Sequence, residues 1–368
     1  MGGRIELSVR VPALSYSARA QVRTACARAL CLELEQAADE MREYEVTRVT
    51  VENACCLSDH DLDHLFAQLK RLVRLDGAYR VATCAPEQTS TGIMTTLRNF
   101  HTDMYVFDLG SLNPTEFHAL GRPYAPGAND ILARMIASYR MRNWCAVVEL
   151  GIPGQTATTL RDSLSRLLAM TPGPGAVRIR MRDVNAEDPE TLARWEGLFE
   201  LACEMLEESA GDAGVAGGAA GAEGGLRRVG AFEFARKGFE GAALARGDAP
   251  ADVWAMGPGG VSYMDGCTLY NERSAAKYLA NAANGEIPAP AVVRLGERDA
   301  MLRNLEHGLL GAKGADENVL VGRHGGEARE ALNRLARERF TASADGRIRL
   351  TTKGAVCWRK IGRVLRER

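Results

Sequence analysis

The sequence predicts an α/β protein built on parallel strands, and three observations carry that prediction. Short β-like runs recur at 5–11, 46–51, 79–84, 103–109, 144–150 and 176–181. Amphipathic helical patterns fill the gaps between them. The composition, 46% hydrophobic and 25% charged, is that of a chain able to bury an ordinary core. Strand followed by helix, six times over, favours parallel pairing with right-handed crossovers, hence an α/β barrel or partial barrel.

The elements follow in order. Ile5-Glu6-Leu7-Ser8-Val9-Arg10-Val11 alternates apolar with polar residues, the mark of a strand, and Pro12 ends it. In 58–75, Leu62, Leu65, Phe66, Leu69, Leu72 and Val73 share one helical stripe, and Ser58 with Asp61 resembles a capping box. The pattern recurs in 128–142 through Ile131, Leu132, Met135, Ile136 and Tyr139, and in 156–169 through Leu160, Leu164, Leu167 and Leu168. A further helix is expected over 188–208, on Leu192, Trp195, Leu198, Phe199, Met205 and Leu206. These elements define a first domain at 1–208.

Seven Gly and six Ala then occupy the 17 positions 209–225, a composition expected to form a flexible surface insertion. Residues 226–269 read as a connection, irregular over 226–265, and 270–368 as an accessory domain. The latter has helical patterns near 297–310 and 326–339 and a strand at 346–351, the order of a winged-helix-like module. A DNA-binding reading of that module is not favoured on the expectation that neither charge nor aromatic residues gather there.

The 368-residue chain carries a formal net charge of −1, so no nucleic acid or anionic membrane partner is expected. Arginine outnumbers lysine 40 to 6, which reads as coding bias. No apolar stretch approaches the roughly 18 residues of a membrane span. Met1 to Arg4 lead into the first strand without a signal-peptide core, and nine scattered cysteines form no disulfide framework; a cytoplasmic location is expected.

Four stretches carry a resemblance to the radical-SAM family of oxygen-independent coproporphyrinogen III oxidases and haem chaperones. Leu120-Gly121-Arg122 with Tyr124 resembles L-G-R-x-H after strand four. Leu150-Gly151-Ile152-Pro153-Gly154-Gln155-Thr156 resembles Y-G-L-P-G-Q-T and is the most specific match. Phe234-Ala235-Arg236-Lys237-Gly238, and Met256-Gly257-Pro258-Gly259-Gly260-Val261-Ser262-Tyr263, resemble N-F-A-R-x-G and L-G-x-G-x-G-A-H-S-Y. Arg349-Leu350-Thr351-Thr352-Lys353-Gly354 resembles R-L-T-x-x-G. The resemblance implies a partial (β/α)6 TIM-like barrel with a C-terminal helical, winged-helix-like domain, and in the family a [4Fe–4S] cluster and S-adenosylmethionine.

The departures fall on the chemistry. The family's C-x3-C-x2-C cluster ligands align with Leu14, Ala18 and Gln21, none of which supplies a thiolate. The glycine-rich loop after strand two reads Glu52-Asn53-Ala54-Cys55-Cys56, which adds Cβ atoms where the family brings backbone to the cofactor. The acidic residue after strand three is Thr83, the Q-S-F after strand four is Gly110-Ser111-Leu112, the aspartate of strand five is Val147, and the histidine of A-H-S-Y is Val261. Arg122, Gly151, Gly154, Gly257 and Gly259 survive as vestigial cofactor-binding positions implied by the resemblance. No catalytic residue is assigned.

Other groups could stand in as ligands. Cys55, Cys56 and Cys84 near the ends of strands two and three are weak metal candidates, because adjacent residues in extended chain point apart. Cys26 and Cys31 sit about 140° apart on a helix and are poor joint ligands. His60 and His64 have metal-ligand spacing but lie opposite the apolar stripe, which favours a solvated face. Arg178, Arg180 and Arg182 alternate along strand six, either as a substrate anion site or as the charged side of an edge strand. The favoured expectation is a cluster-free, non-catalytic scaffold for haem, another porphyrin or an active paralogue. The alternative is a coproporphyrinogen oxidase-like enzyme with a substitute or partner-supplied cofactor.

Overall fold

The structure, a computed structural model, describes residues 3–15, 17–122, 127–182, 188–209, 225–243, 249–287 and 289–366. Tyr124 and positions 210–224 of the Ala/Gly-rich stretch lie outside the described residues.

Along the chain run β1 (Arg4–Arg10), α1 (Ala20–Met41), β2 (Glu45–Glu52), α2 (Asp59–Leu72), β3 (Tyr79–Cys84), α3 (Thr91–Asn99) and β4 (Met104–Gly110). Next come α4 (Pro114–Ala119), α5 (Ala128–Ser138), β5 (Trp144–Leu150), α6 (Ala157–Leu168), β6 (Ala176–Met181) and α7 (Pro189–Glu208). The third stretch holds β7 (Arg227–Gly230), β8 (Glu233–Ala235), β9 (Asp252–Met256), β10 (Val261–Met264), β11 (Cys267–Tyr270), α8 (Ala275–Ala283) and β12 (Ala291–Arg294). The last is α9 (Glu297–Leu310), β13 (Ala315–Asp316), α10 (Glu317–Arg337), β14 (Thr341–Ala344), β15 (Arg347–Leu350), α11 (Thr352–Val356) and α12 (Trp358–Arg366). The alternation of strand and helix predicted from periodicity is the order observed, with each of the six strands displaced by at most a residue or two.

Local chemistry explains the starts. Ser58 accepts a hydrogen bond from the Asp61 N–H and opens α2; Ser90 does the same for α3, and Thr156 with Thr159 closes a full capping box on α6. Pro114 and Pro189 sit in the first turns of α4 and α7, where a missing N–H costs nothing. The segment 226–265, expected to be irregular, instead forms β7 to β10. Strands of three to five residues are too short to show a period against loop composition.

The chain divides into two compact units. The first comprises Met1–Asp108, Ala125–Met135 and Ala251–Leu295. Its strands order as β12-β11-β10-β9-β1-β2-β3-β4. From β9 to β4 neighbours run parallel, whereas β10, β11 and β12 add an antiparallel meander. Ile5, Leu7 and Val9 of β1 are buried, as are Leu30 and Leu34 of α1 and Leu62, Leu65, Phe66 and Leu69 of α2. These stripes supply most of the stabilisation, about 2 kcal/mol per fully buried Leu or Val.

The second unit comprises Leu109–Tyr124, Ile136–Pro250 and Gly296–Arg368. In it β5 pairs parallel with β6, and β8 and β7 follow antiparallel. Its C-terminal part is a winged-helix-like module. β13, β15 and β14 form a three-stranded antiparallel sheet, and Leu305, Leu309, Leu332, Leu335, Phe340, Ile348, Ile361 and Leu365 make its core. Gly325 adopts φ 60, ψ −134 and breaks α10, so the helix predicted near 326–339 is its second half.

Candidate functional site

In the first unit the loops after β1, β2 and β3 converge at the C-terminal ends of their strands, where an α/β enzyme keeps its chemistry. Asn53 takes the left-handed conformation (φ 54), and Ala54, Cys55 and Cys56 fold into a 3-10 turn with all three side chains buried. The Asn53 amide nitrogen donates to Val11 O at 3.0 Å, and its N–H to Thr83 Oγ1 at 2.8 Å. Thr83, standing where the resemblance expected an acid, therefore ties β3 to β2.

The thiols are part of the same packing. Leu14 N–H donates to Cys56 Sγ at 3.5 Å and Ala85 N–H to Cys55 Sγ at 3.1 Å, so adjacent sulfurs address different loops. Gln88 Nε2 reaches Leu14 O at 2.9 Å, and Arg23 Nη1 reaches Cys56 O at 2.6 Å. The hydrogen bond with Cys55 and then burial push Cys56 far above the usual thiol range. Cys55 is also raised: its bond with Cys56 favours the thiolate, but Cys84 and burial outweigh it. A protonated, enclosed thiol is a poor ligand and a poor nucleophile. Among the described residues no group of three or more His, Cys, Asp or Glu is placed to hold a metal ion.

This donor set does not fit the family's cluster or its cosubstrate. Leu14, Ala18 and Gln21 offer no thiolate, the Leu14 backbone N–H is taken by Cys56 Sγ, and the turn at 54–56 fills with side chains the space that glycines would leave open.

Gly257 and Gly259 belong to the same unit and have a structural task. Gly257 has φ +89, and a Cβ there would lie 2.2 Å from Arg10 O. Its N–H donates to Glu33 Oε2 at 2.8 Å, while Arg10 Nη1 donates to Gly259 O at 2.8 Å. Glu33 also accepts from Tyr278 Oη at 2.6 Å and Asn271 Nδ2 at 3.0 Å. Burial pushes the Glu33 carboxyl up, against the opposing pull of these three hydrogen bonds. Neither Glu33 nor Tyr278 was singled out from sequence, since an isolated Glu on a helix carries no pattern.

The second unit has its own buried polar centre. Glu116, 2% exposed, accepts from Ser111 Oγ at 2.6 Å, Gln155 Nε2 at 3.3 Å and Thr159 Oγ1. Gln155 in turn donates to Glu149 O at 3.2 Å and accepts from Gly151 N–H at 3.1 Å, and Arg194 donates to its backbone oxygen. Gly151 and Gly154 both take positive φ, 92° and 82°, which forms the turn from β5 into α6. Glu116 was missed from sequence, although Asn113-Pro114 two and three residues before it is a helix-start signal.

Arg122 stacks over the Phe117 ring at 4.9 Å. Gly110 beside it has φ +65, and a Cβ there would meet Leu120 Cδ1 at 2.6 Å and Arg122 Nη1 at 3.2 Å. The three arginines of strand six are engaged within the unit. Arg178 pairs with Glu233 at 2.8 Å, and Arg182 and Arg180 meet Glu149 at 2.9 and 3.6 Å. The edge-strand reading is corrected: β6 has β5 on one side and β8 on the other. Glu149 lies two residues beyond Val147 on β5, so the strand retains a carboxylate committed to arginine.

Cys26 and Cys31 are buried in α1, each pushed up to about 11, by burial first. His60 and His64 are exposed on α2, as the solvated-face reading expected.

No family model matches the chain, and no curated protein matches it. Among solved structures, the Escherichia coli coproporphyrinogen III oxidase, a radical SAM enzyme, superposes with a TM-score of 0.73 at 15% identity, covering 98% of this chain and 89% of that one. Elp3 from the archaeon Methanocaldococcus infernus gives a TM-score of 0.36 at 10% identity, over 55% of this chain and 54% of its own, too slight a likeness to carry weight. The chain has the α/β fold of a radical-SAM coproporphyrinogen III oxidase, the one its motifs resemble.

Proposed function

We propose that this protein is a cluster-free, non-catalytic scaffold that keeps the fold of the coproporphyrinogen oxidases and uses it to bind rather than to react. One observation carries the reading. Leu14 stands where a cluster thiolate would be, with its backbone N–H on Cys56 Sγ, beside a turn whose buried Ala54, Cys55 and Cys56 side chains fill the ends of β2 and β3. Arg122, Gly151, Gly154, Gly257 and Gly259 are retained for the turns and stacking they make, and no residue serves as catalyst. The scaffold spans 1–208, with 209–225 as an insertion, 226–269 as its connection and 270–368 as an accessory domain. Its nine free cysteines suit a reducing cytoplasm.

Anaerobic reconstitution with iron, sulfide and reductant tests this directly. The expected product holds far fewer than about four irons per chain, shows no cluster absorption and does not cleave S-adenosylmethionine. A stoichiometric cluster that supports reductive cleavage overturns the proposal. The ligand class follows from the fold's enzyme relatives, a tetrapyrrole, and haem titration reads it. A saturable Soret shift supports haem or porphyrin carriage, and a flat titration removes it in favour of a protein partner.

A further inference from the structure

The balanced charge of the whole chain conceals a division. Residues 296–368 hold sixteen Lys and Arg against ten Asp and Glu, a charge of +6, so the preceding residues carry −7. The expectation that charge does not gather in the C-terminal module is therefore corrected. Asymmetry of this kind marks a polyanion partner when the basic groups also share a face.

They do so on α10 and its hairpin. Beyond Gly325 the helix buries Ala328, Leu332 and Leu335, which turns the opposite face to solvent. On that face Arg329, Asn333 and Arg337 fall at i, i+4 and i+8, and all three are exposed. A groove of about 300 Å³ runs along them, lined also by Gly326, Glu330 and Arg334. Arg334 is occupied, with Glu330 at 3.3 Å and Val364 O at 3.0 Å, which neutralises the acid in the groove. Arg329 and Arg337 have no side-chain partner among the described residues. The helix leads through exposed Arg339 into β14 and β15, where Arg349 is exposed and Arg347 pairs with Asp316 at 3.3 Å. The other acids on these elements are Glu317, Glu327, Glu338 and Asp345.

We propose that this face, Arg329, Asn333 and Arg337 on α10 with Arg349 on the hairpin, docks on duplex nucleic acid. A helix followed by a wing hairpin matches a duplex: the helix enters a major groove about 12 Å wide while the hairpin reaches the adjoining backbone. Guanidinium groups bind phosphate oxygens in bidentate fashion, and an exposed Asn between two Arg offers a donor and an acceptor to base edges. An anionic membrane is the less suitable partner. The apolar sides of α10 and α12 are already joined in one core through Leu332, Leu335, Ile361 and Leu365, which takes those side chains out of reach of a bilayer.

Fluorescence anisotropy of the full-length protein with a labelled mixed-sequence duplex of about 20 base pairs tests the assignment. Binding is expected at 50 mM salt and should weaken roughly 10- to 50-fold by 200 mM, the slope for about two or three phosphate contacts. Arg329→Glu with Arg337→Glu should weaken it at least tenfold. Arg359→Glu with Lys360→Glu, an equal charge change on the exposed side of α12, should cost no more than about threefold. All four positions are exposed, and circular dichroism confirms that both variants fold. No anisotropy change at 50 mM salt, equal losses in the two variants, or binding to phosphatidylserine vesicles in preference to the duplex would each overturn the proposal.

Discussion

The strand ends of the first unit and the β5 turn of the second close in opposite ways. At β2 and β3 the seal is made of the buried side chains of Ala54, Cys55, Cys56 and Cys84, hydrocarbon and sulfur. At β5 it is Glu116, a buried carboxylate held by Ser111, Gln155 and Thr159, with Gln155 fixing the Gly151 N–H. On the proposed reading, the contrast teaches which kinds of motif outlast a lost activity: cluster ligands and a cofactor-hugging glycine loop would stabilise nothing without the group, so apolar side chains could take their place. The Gly151-to-Thr156 run is tied to the fold by buried hydrogen bonds, whose loss leaves unsatisfied donors.

The sharpest way to break this comparison is Glu116→Ala. The buried donors of Ser111 and Gln155 and the half-buried Thr159 hydroxyl lose this acceptor together, and the expected destabilisation is about 4 kcal/mol, read as a lower denaturant midpoint. A loss under about 1 kcal/mol would mean the polar centre is incidental to the fold.

Two surviving glycines sharpen it further. Gly257→Ala forces a Cβ to 2.2 Å from Arg10 O at a positive φ, and should cost about 3 kcal/mol. Gly154→Ala has nothing within 4 Å of its Cβ and bears only the φ +82 strain, about 1 kcal/mol. Equal costs would show that close approach is not what holds Gly257.

The gentlest test is pH. Cys26, Cys31 and Cys145 are raised from 9.0 to about 11, with burial the first cause in each. Between those values the unfolded chain binds fewer protons than the native one, so stability should fall as pH rises from 9 towards 11 and be unaffected by these groups below 9. Urea midpoints under reducing conditions measure the slope, and Cys26→Ala with Cys31→Ala should flatten it. An unchanged slope would assign the alkaline loss elsewhere.

Much of the fold was legible because β1 to β6 and the helices α2, α5 and α6 each repeat a period long enough to read. The helix at Pro189–Glu208 and the strand at Arg347–Leu350 were found the same way. β7 to β12 were not, since strands of three to five residues look like loop until neighbouring strands pair with them. Of the candidate site, Cys55, Cys56 and Cys84 were legible as a group, but not that their sulfurs would be enclosed. Glu116 and Glu33 were invisible for a different reason. A buried carboxylate is defined by donors brought from distant segments, as Thr159 is to Glu116 and Tyr278 to Glu33.

The amino-acid order alone determined the strand and helix periods and the absence of thiolates at Leu14, Ala18 and Gln21. These are properties of residue type and spacing, which need no partner to be read. Tertiary structure alone decided that Arg180 and Arg182 share Glu149, that β6 is flanked on both sides, and that Arg329, Asn333 and Arg337 form one solvent-facing stripe. Such outcomes depend on which surfaces the chain buries, because burial sets both the partners a charge can find and the face it must present.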